Sequence, residues 1–270
     1  MSEPAVLYAK HDGVAVVTMN RPDFRNAINP EMLCRLADAW QDVNDDPTVR
    51  VAILTGAGDK AFCAGADLDR LVRMMQGLRP PETEYDERLK NDYSIIYKGL
   101  LRNYQVFKPI IAAIRGFCVA GGTEILSCTD IRVAGDDARF GLAEVKWSLF
   151  PMGGSTVRLP RQISYCNAME ILLTGEQLSA ERALQMGLIN KVVAPDQVMG
   201  EARRFADIIN GNGPLAVQAV KRSVLVGLAL PPEQALEREM EIGIPVSMSE
   251  DCREGTKAFK EKRKPVFKGR

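Results

Sequence analysis

Glu124 is a carboxylate set among apolar residues, inside the stretch Ile110-Ile-Ala-Ala-Ile-Arg-Gly-Phe-Cys-Val-Ala-Gly-Gly-Thr-Glu124-Ile-Leu-Ser-Cys128. The stretch opens with β-branched and small apolar residues, the composition of a fully buried strand. It then passes Gly116 and Gly121-Gly122 and resumes as Ile125-Leu126, which reads as strand, tight glycine turn and helix. Glu124 falls about one turn into that helix. Glycine has no Cβ, so backbone N–H groups near it can approach a bound group closely. A helix N-terminus favours negative charge at the same place. An oxyanion-binding turn and an acid therefore share one corner. Two readings are open on this stretch alone: a Glu that satisfies the first turn of an ordinary helix, or a buried functional acid.

Other chemistries have little to work with. The single histidine, His11, adjoins Asp12-Gly13, a hairpin-turn signal that predicts solvent exposure. A histidine-based triad or metal site is therefore not expected, and neither is a cofactor. The cysteines (Cys34, Cys63, Cys118, Cys128, Cys166, Cys252) lack Cys-x-x-Cys spacing and read as small buried residues in a reducing compartment. Catalysis must come from carboxylates and backbone. Lys+Arg and Asp+Glu both number 35, so the formal net charge is zero. That balance argues against nucleic acid as the main partner, although residues 257–268 form a local basic stretch. The first residues resemble neither a signal nor a transit peptide. No apolar run reaches the ~18 residues of a membrane span. A cytoplasmic protein with no membrane partner is expected.

The elements that must position Glu124 follow from periodicity and punctuation. Val6–Ala9 and Val14–Met19 flank the His-Asp-Gly turn as a β-hairpin. After the polar loop 20–28, Asn29-Pro30 caps a helix whose apolar face is Leu33, Leu36, Ala37, Trp40 and Val43. Val49–Leu54 is a buried strand, and residues 59–68 are a loop of small residues. Arg70–Glu87 reads as a mobile insertion or poorly regular helix, and Leu89–Val106 as a helix. Strands Ile110–Ile114 and Ile131–Ala134 enclose the helix Thr123–Cys128. After Pro151-Met-Gly-Gly-Ser155 the chain turns helical: short helices at 168–173 and 180–186, a strand at 188–193, then helices at 196–209, 215–226, 233–242 and 251–259. The pattern is a wound α/β core over 1–195 and a helical region over 196–270.

Phe62-Cys-Ala-Gly-Ala-Asp-Leu68, Gly116–Glu124, and Phe140–Glu144 with Pro151-Met-Gly-Gly154 line up with one family. Together they resemble the crotonase (enoyl-CoA hydratase/isomerase) superfamily. Asn20-Arg-Pro22 with Asn26-Ala27, and Ala258-Phe-Lys-Glu-Lys-Arg263, are similar to its first loop and last helix. The resemblance implies a crotonase (ClpP-like) spiral of β-β-α turns, a C-terminal helical trimerisation region, and assembly as a homotrimer or a hexameric dimer of trimers. It implies acyl-CoA thioester substrates, with coenzyme A as part of the substrate.

Carried over by position, the backbone N–H groups of Ala66 and Gly121 match the family's oxyanion hole, where each donor contributes roughly 3 kcal/mol of barrier lowering. Glu124 and Glu144 match the two acid/base glutamates, Glu124 resembling the group that activates water and Glu144 the one that protonates C2. Arg25, Ala27, Ala64, Leu68 and Asp69 lie where relatives contact acyl-CoA. Asp67 stands beside the oxyanion alanine and reads better as a residue bonding loop backbone. Phe259 and Lys262 resemble tail residues that reach CoA, commonly from a neighbouring subunit. The chain departs from the common pattern at Ala120, Ala143 and Met152, which bears on substrate size. Glu144–Gly154 and Gly121–Leu126 are similar to an actinobacterial subgroup that includes hydratases of sterol side-chain degradation.

The activity implied is hydration of a 2-enoyl-CoA to a 3-hydroxyacyl-CoA, in fatty acid or sterol side-chain β-oxidation. An enoyl-CoA isomerase or other crotonase-fold activity is the alternative. A non-enzymatic acyl-CoA-binding protein fits the two retained acids least well.

Overall fold

A computed structural model describes residues 3–270. Hairpin strands β1 (Val6–His11) and β2 (Val14–Met19) precede α1 (Pro30–Asp45), then β3 (Val51–Gly56) and β4 (Ala61–Cys63). A π-helical turn (Leu68–Val72) runs into α2 (Arg73–Met75), followed by α3 (Glu84–Asn91) and α4 (Ser94–Gly99). Next come β5 (Ile110–Ile114), β6 (Phe117–Val119), α5 (Gly121–Leu126), β7 (Ile131–Gly135), β8 (Arg139–Gly141) and a 3-10 turn (Ala143–Trp147). The remainder is α6 (Ser155–Gln162), α7 (Tyr165–Thr174), β9 (Leu178–Ser179), α8 (Ala180–Gln185), β10 (Lys191–Val193), α9 (Val198–Asn210), α10 (Pro214–Gly227), α11 (Pro232–Ser247) and α12 (Glu250–Glu261).

Successive strand pairs split between two sheets. The six-stranded sheet has the order β1-β2-β3-β5-β7-β10 and the four-stranded sheet β4-β6-β8-β9. All pairings are parallel except β1–β2 and β8–β9. The β1–β2 hairpin stays in the larger sheet, and each later pair (β3 and β4, β5 and β6, β7 and β8) places one strand in each sheet before the chain crosses over.

Strand periodicity decides which side chain faces which layer. Ala52, Leu54, Ile110, Ala112 and Ile114 pack into the core beneath α1. Their neighbours Val51, Ile53, Ile111 and Ala113 face the other way and meet Val198, Ala202 and Ala206 of α9. Both faces are covered, which is why these strands read as continuous apolar runs. Because α9 still packs on the sheet, the helices that stand away from it are α10 to α12. Asn29 caps α1 by accepting from Met32 N at 2.9 Å, and Trp40 ties α1 to the end of α4 through Nε1 to Gly99 O at 3.0 Å.

Two expectations need correction. Residues 61–63 lie in a strand of the smaller sheet and not in a loop; three residues with a glycine soon after carry too little alternation to show as a strand. Residues 70–87 hold the poorly regular helix expected there, the end of the π-helical turn, the three-residue α2, an irregular stretch and the start of α3, and ion pairs tie it together. Arg70 pairs with Asp86 at 3.1 Å, Arg79 pairs with Asp69 and Glu82, and Thr83 with Asp86 forms a capping box on α3. The helix expected over 89–106 breaks at Asp92-Tyr93 and ends at Gly99, with Leu101 in the left-handed region (φ 54°). The short helix α6, with Pro160 inside it, was not anticipated.

Candidate active site

The corner at Gly121 is built by close backbone packing. β4 lies beside β6 with Cys63 opposite Cys118, and α5 starts directly after β6. A Cβ on Gly122 would stand 2.4 Å from Cys63 O, so only glycine allows α5 to sit this near β4. The reversal before α5 is made by Ala120, at φ 49° and ψ −124°, and not by the glycine pair. That conformation is costly for a residue with a side chain.

The chain leaving β4 forms the other wall. Ala64 N donates to Arg25 O (3.0 Å), Ile28 N to Gly65 O (2.8 Å), and Asp67 N to Ile28 O (2.9 Å). Ala66 is bridged to Ile28 by this pattern. Among the described residues, the N–H groups of Ala66 and Gly121 have no acceptor. The position a Cβ would take on Gly121 is 3.7 Å from Ala66 N, so the two turns are adjacent. Two free amides beside each other can bind one anionic oxygen.

Glu124 sits in the first turn of α5 and is 5% exposed. It does not cap its own helix. Its Oε1 accepts from Gly153 N at 2.6 Å and from Ser155 Oγ at 3.0 Å. Burial raises its pKa, while those hydrogen bonds and the nearby Arg102 charge act against the rise. Glu144 lies in the 3-10 turn after β8, and its Oε2 is buried with no hydrogen-bond partner among the described residues. Burial pushes its pKa up to about 7, opposed by its own backbone N–H and reinforced by the charge of Glu124. The structure therefore brings Glu124, Glu144, Ala66 and Gly121 into one region.

The remaining predicted residues divide. Asp67 is a loop-bonding residue: Oδ1 accepts from Asp69 N (3.2 Å) and Arg70 N (2.9 Å), and Oδ2 accepts from Arg21 Nη1 (2.9 Å). Arg21 Nη1 also donates to Ala27 O (2.5 Å). Arg25, left-handed at φ 52°, holds its guanidinium 5.8 Å from the Phe117 ring. Leu68 is exposed, and Asp69 pairs with Arg73 and Arg79. Phe259 lies on α12, and Lys262 is the left-handed residue that ends it (φ 54°). Phe259 is 86% exposed, and no hydrogen bond or ion pair among the described residues joins α12 to the Ala66 or Gly121 turns. The basic tail is internally paired, Arg263 meeting Glu254 at 2.6 Å and Glu261 at 2.7 Å.

Gly153, Ser155 and Asn26 were not singled out for these roles. Asn26 is fully buried and donates to Ala57 O (3.0 Å) and Ala61 O (2.7 Å), stapling the first loop to β4. The signal available in sequence was a small polar residue after a glycine pair, which does not reveal a partner 31 positions away.

The enoyl-CoA hydratase/isomerase family profile matches residues 9–270. The chain belongs to this family. Enoyl-CoA hydratase EchA19 of Mycobacterium tuberculosis is 46% identical over 269 residues, covering 100% of this chain and 98% of that protein. (E)-benzylidenesuccinyl-CoA hydratase of Thauera aromatica is 41% identical, covering 95% and 96%. A crystal structure of enoyl-CoA hydratase from M. tuberculosis H37Rv superposes with a TM-score of 0.88 at 38% identity, covering 99% of this chain and 100% of that one. The fold is the crotonase spiral with a helical C-terminal region, and the protein is an enzyme of the enoyl-CoA hydratase kind. No helix among the described residues is long and apolar enough to cross a membrane.

Proposed function

We propose that the protein adds water across the 2,3 double bond of a 2-enoyl-CoA thioester. The observation that carries this reading is the contrast between two neighbouring acids: among the described residues, Glu124 has two donors on one oxygen, and Glu144 has a buried oxygen with none. The N–H groups of Ala66 and Gly121 hold the thioester oxygen as it becomes enolate-like. Glu124, the better solvated by hydrogen bonds, takes a proton from water as its oxygen bonds to C3. Glu144, protonated up to about pH 7, gives its proton to C2. Water supplies both groups added, the hydroxyl on C3 and in net the hydrogen on C2, because the proton left on Glu124 is balanced by one that returns to Glu144 through solvent.

Purified protein should therefore bleach the conjugated-thioester absorbance of 2-enoyl-CoAs. Glu124→Gln and Glu144→Gln should each lower kcat about 10²–10⁴-fold. No bleaching with short, long or steroidal acyl chains removes the hydratase reading.

The acyl chain is proposed to be bulky and apolar, in fatty acid or sterol side-chain β-oxidation. Support comes from the exposed apolar Leu68, Met75, Leu78 and Tyr93 that follow the Ala66 turn, and from a relative named for an aryl-bearing acyl group. A panel of acyl-CoAs of rising bulk tests this by kcat/KM. Assembly as a trimer or hexamer is supported by the exposed Val220, Val224, Leu228, Leu236, Met240 and Ile244 on α10, α11 and the turn between them. Such assembly would allow Phe259 and Lys262 to serve a neighbour's CoA, with Arg25 on the chain's own. A monomer by light scattering at micromolar concentration contradicts it.

A further inference from the structure

We infer that Ser155 is a positioning residue that fixes which oxygen of Glu124 receives the proton and holds this acid ready as the base of the pair. The inference rests on the hydratase reading above and goes beyond it by naming the group that makes the two glutamates unequal.

Ser155 is fully buried at the start of α6. Among the described residues, the only hydrogen bond of its Oγ is the 3.0 Å contact to Glu124 Oε1. The same oxygen takes Gly153 N–H at 2.6 Å. A backbone N–H can only donate, so Oε1 is held as an acceptor, and the rotatable serine hydroxyl then donates as well. Among the described residues, Oε2 accepts no hydrogen bond, and unlike Glu144 Oε2 it is not sealed from solvent. A proton arriving on Glu124 therefore lands on Oε2, the oxygen that a water can reach. Among the described residues, Glu144 has no comparable side-chain donor. The charged or titratable groups around Glu124 are Arg102 from the segment after α4, Arg158 on α6, Glu144 on the 3-10 turn and Cys128 in the turn that follows α5. Removing the serine hydroxyl leaves all four in place.

Hydrogen bonds to a charged group are strong enough that losing one moves a carboxyl pKa by about one unit. Full-length Ser155→Ala, assayed with trans-2-butenoyl-CoA, should shift the acid limb of kcat upward by about one pH unit. Well below the limb kcat falls roughly tenfold, while above it kcat and KM stay close to wild type. Ser155→Thr, which keeps the hydroxyl, should retain the wild-type limb. A limb that does not move, or a kcat lowered by the same factor at every pH, overturns the inference. Wild-type inactivity on every acyl-CoA would sink the hydratase reading alone. In that event the infrared carboxylate band assigned by Glu124→Gln still tests Ser155: its titration midpoint rises in Ser155→Ala, or the inference fails.

Discussion

Gly153→Ala tests the site without touching a chemical group. A Cβ at position 153 would stand 2.6 Å from Glu124 Oε2, 2.7 Å from its Cδ and 2.8 Å from its Cβ. The backbone of Gly153 is not in the left-handed region, so alanine brings no conformational strain of its own. Contacts between carbons relax to about 3.5 Å or more, so the Glu124 Cβ must retreat by roughly 0.7 Å. Rotation of the carboxyl end alone does not relieve the clash, because Cβ is anchored to α5. A displacement near 1 Å at a reacting group costs about 10²-fold in rate, or ~2.7 kcal/mol. The expected result is a kcat lowered about a hundredfold, with KM nearly unchanged and the melting temperature moved by only a few degrees. Steady-state bleaching of a 2-enoyl-CoA and a thermal melt on the same sample read both quantities. A kcat within threefold of wild type would refute the placement of Glu124 as the reacting base.

Two further outcomes follow from burial and strain. Ala120→Gly removes a side chain from a positive-φ residue, and the relief should exceed the entropy glycine adds to the unfolded chain, giving about 1 kcal/mol of stability in a denaturant melt; lower stability would show that the Ala120 methyl packs more than it strains. Glu144 holds its proton up to about pH 7 when folded, against an ordinary value of 4.5. Below 4.5 both states bind the proton, and between the two values only the folded state does. Stability should therefore fall as pH rises across that window. Glu144→Gln should flatten the fall in melting temperature between pH 5 and 7, and an unchanged slope would assign it to another group.

Much of the frame was legible because local rules agreed with it. The strand at Ile110–Ile114 has the bounds expected from its apolar run, and Asn29-Pro30 starts α1 as capping chemistry requires. Glu124 and the Ala66 loop were visible as types and positions. What stayed hidden depends on partners distant in sequence. The order in 70–87 comes from ion pairs such as Arg70–Asp86, 16 positions apart, which no periodicity reports. The turn before α5 was assigned to Gly121-Gly122, the residues that tolerate positive φ best, yet Ala120 adopts it. The glycines are spent instead on close approach, Gly122 against Cys63 O. Ser155 was invisible because a serine shows its use only through what it touches.

The two acids share one covalent strap. Glu144 stands at one end of the span 144–155, and Gly153 and Ser155, which hold Glu124, stand at the other. Between them Trp147, Leu149, Phe150 and Met152 are exposed apolar side chains. An acyl chain lying against this span would withdraw water from Glu144, and desolvation is already the largest cause of its raised pKa. The alkaline limb of kcat, which reports the enzyme–substrate complex, should therefore lie above the alkaline limb of kcat/KM, which reports the free enzyme. The gap should widen from a four-carbon to a bulkier acyl group, since more apolar surface displaces more water. Coincident limbs for every acyl group would mean that the strap takes no part in receiving the acyl chain, and that Glu144 owes its acidity to the fold alone.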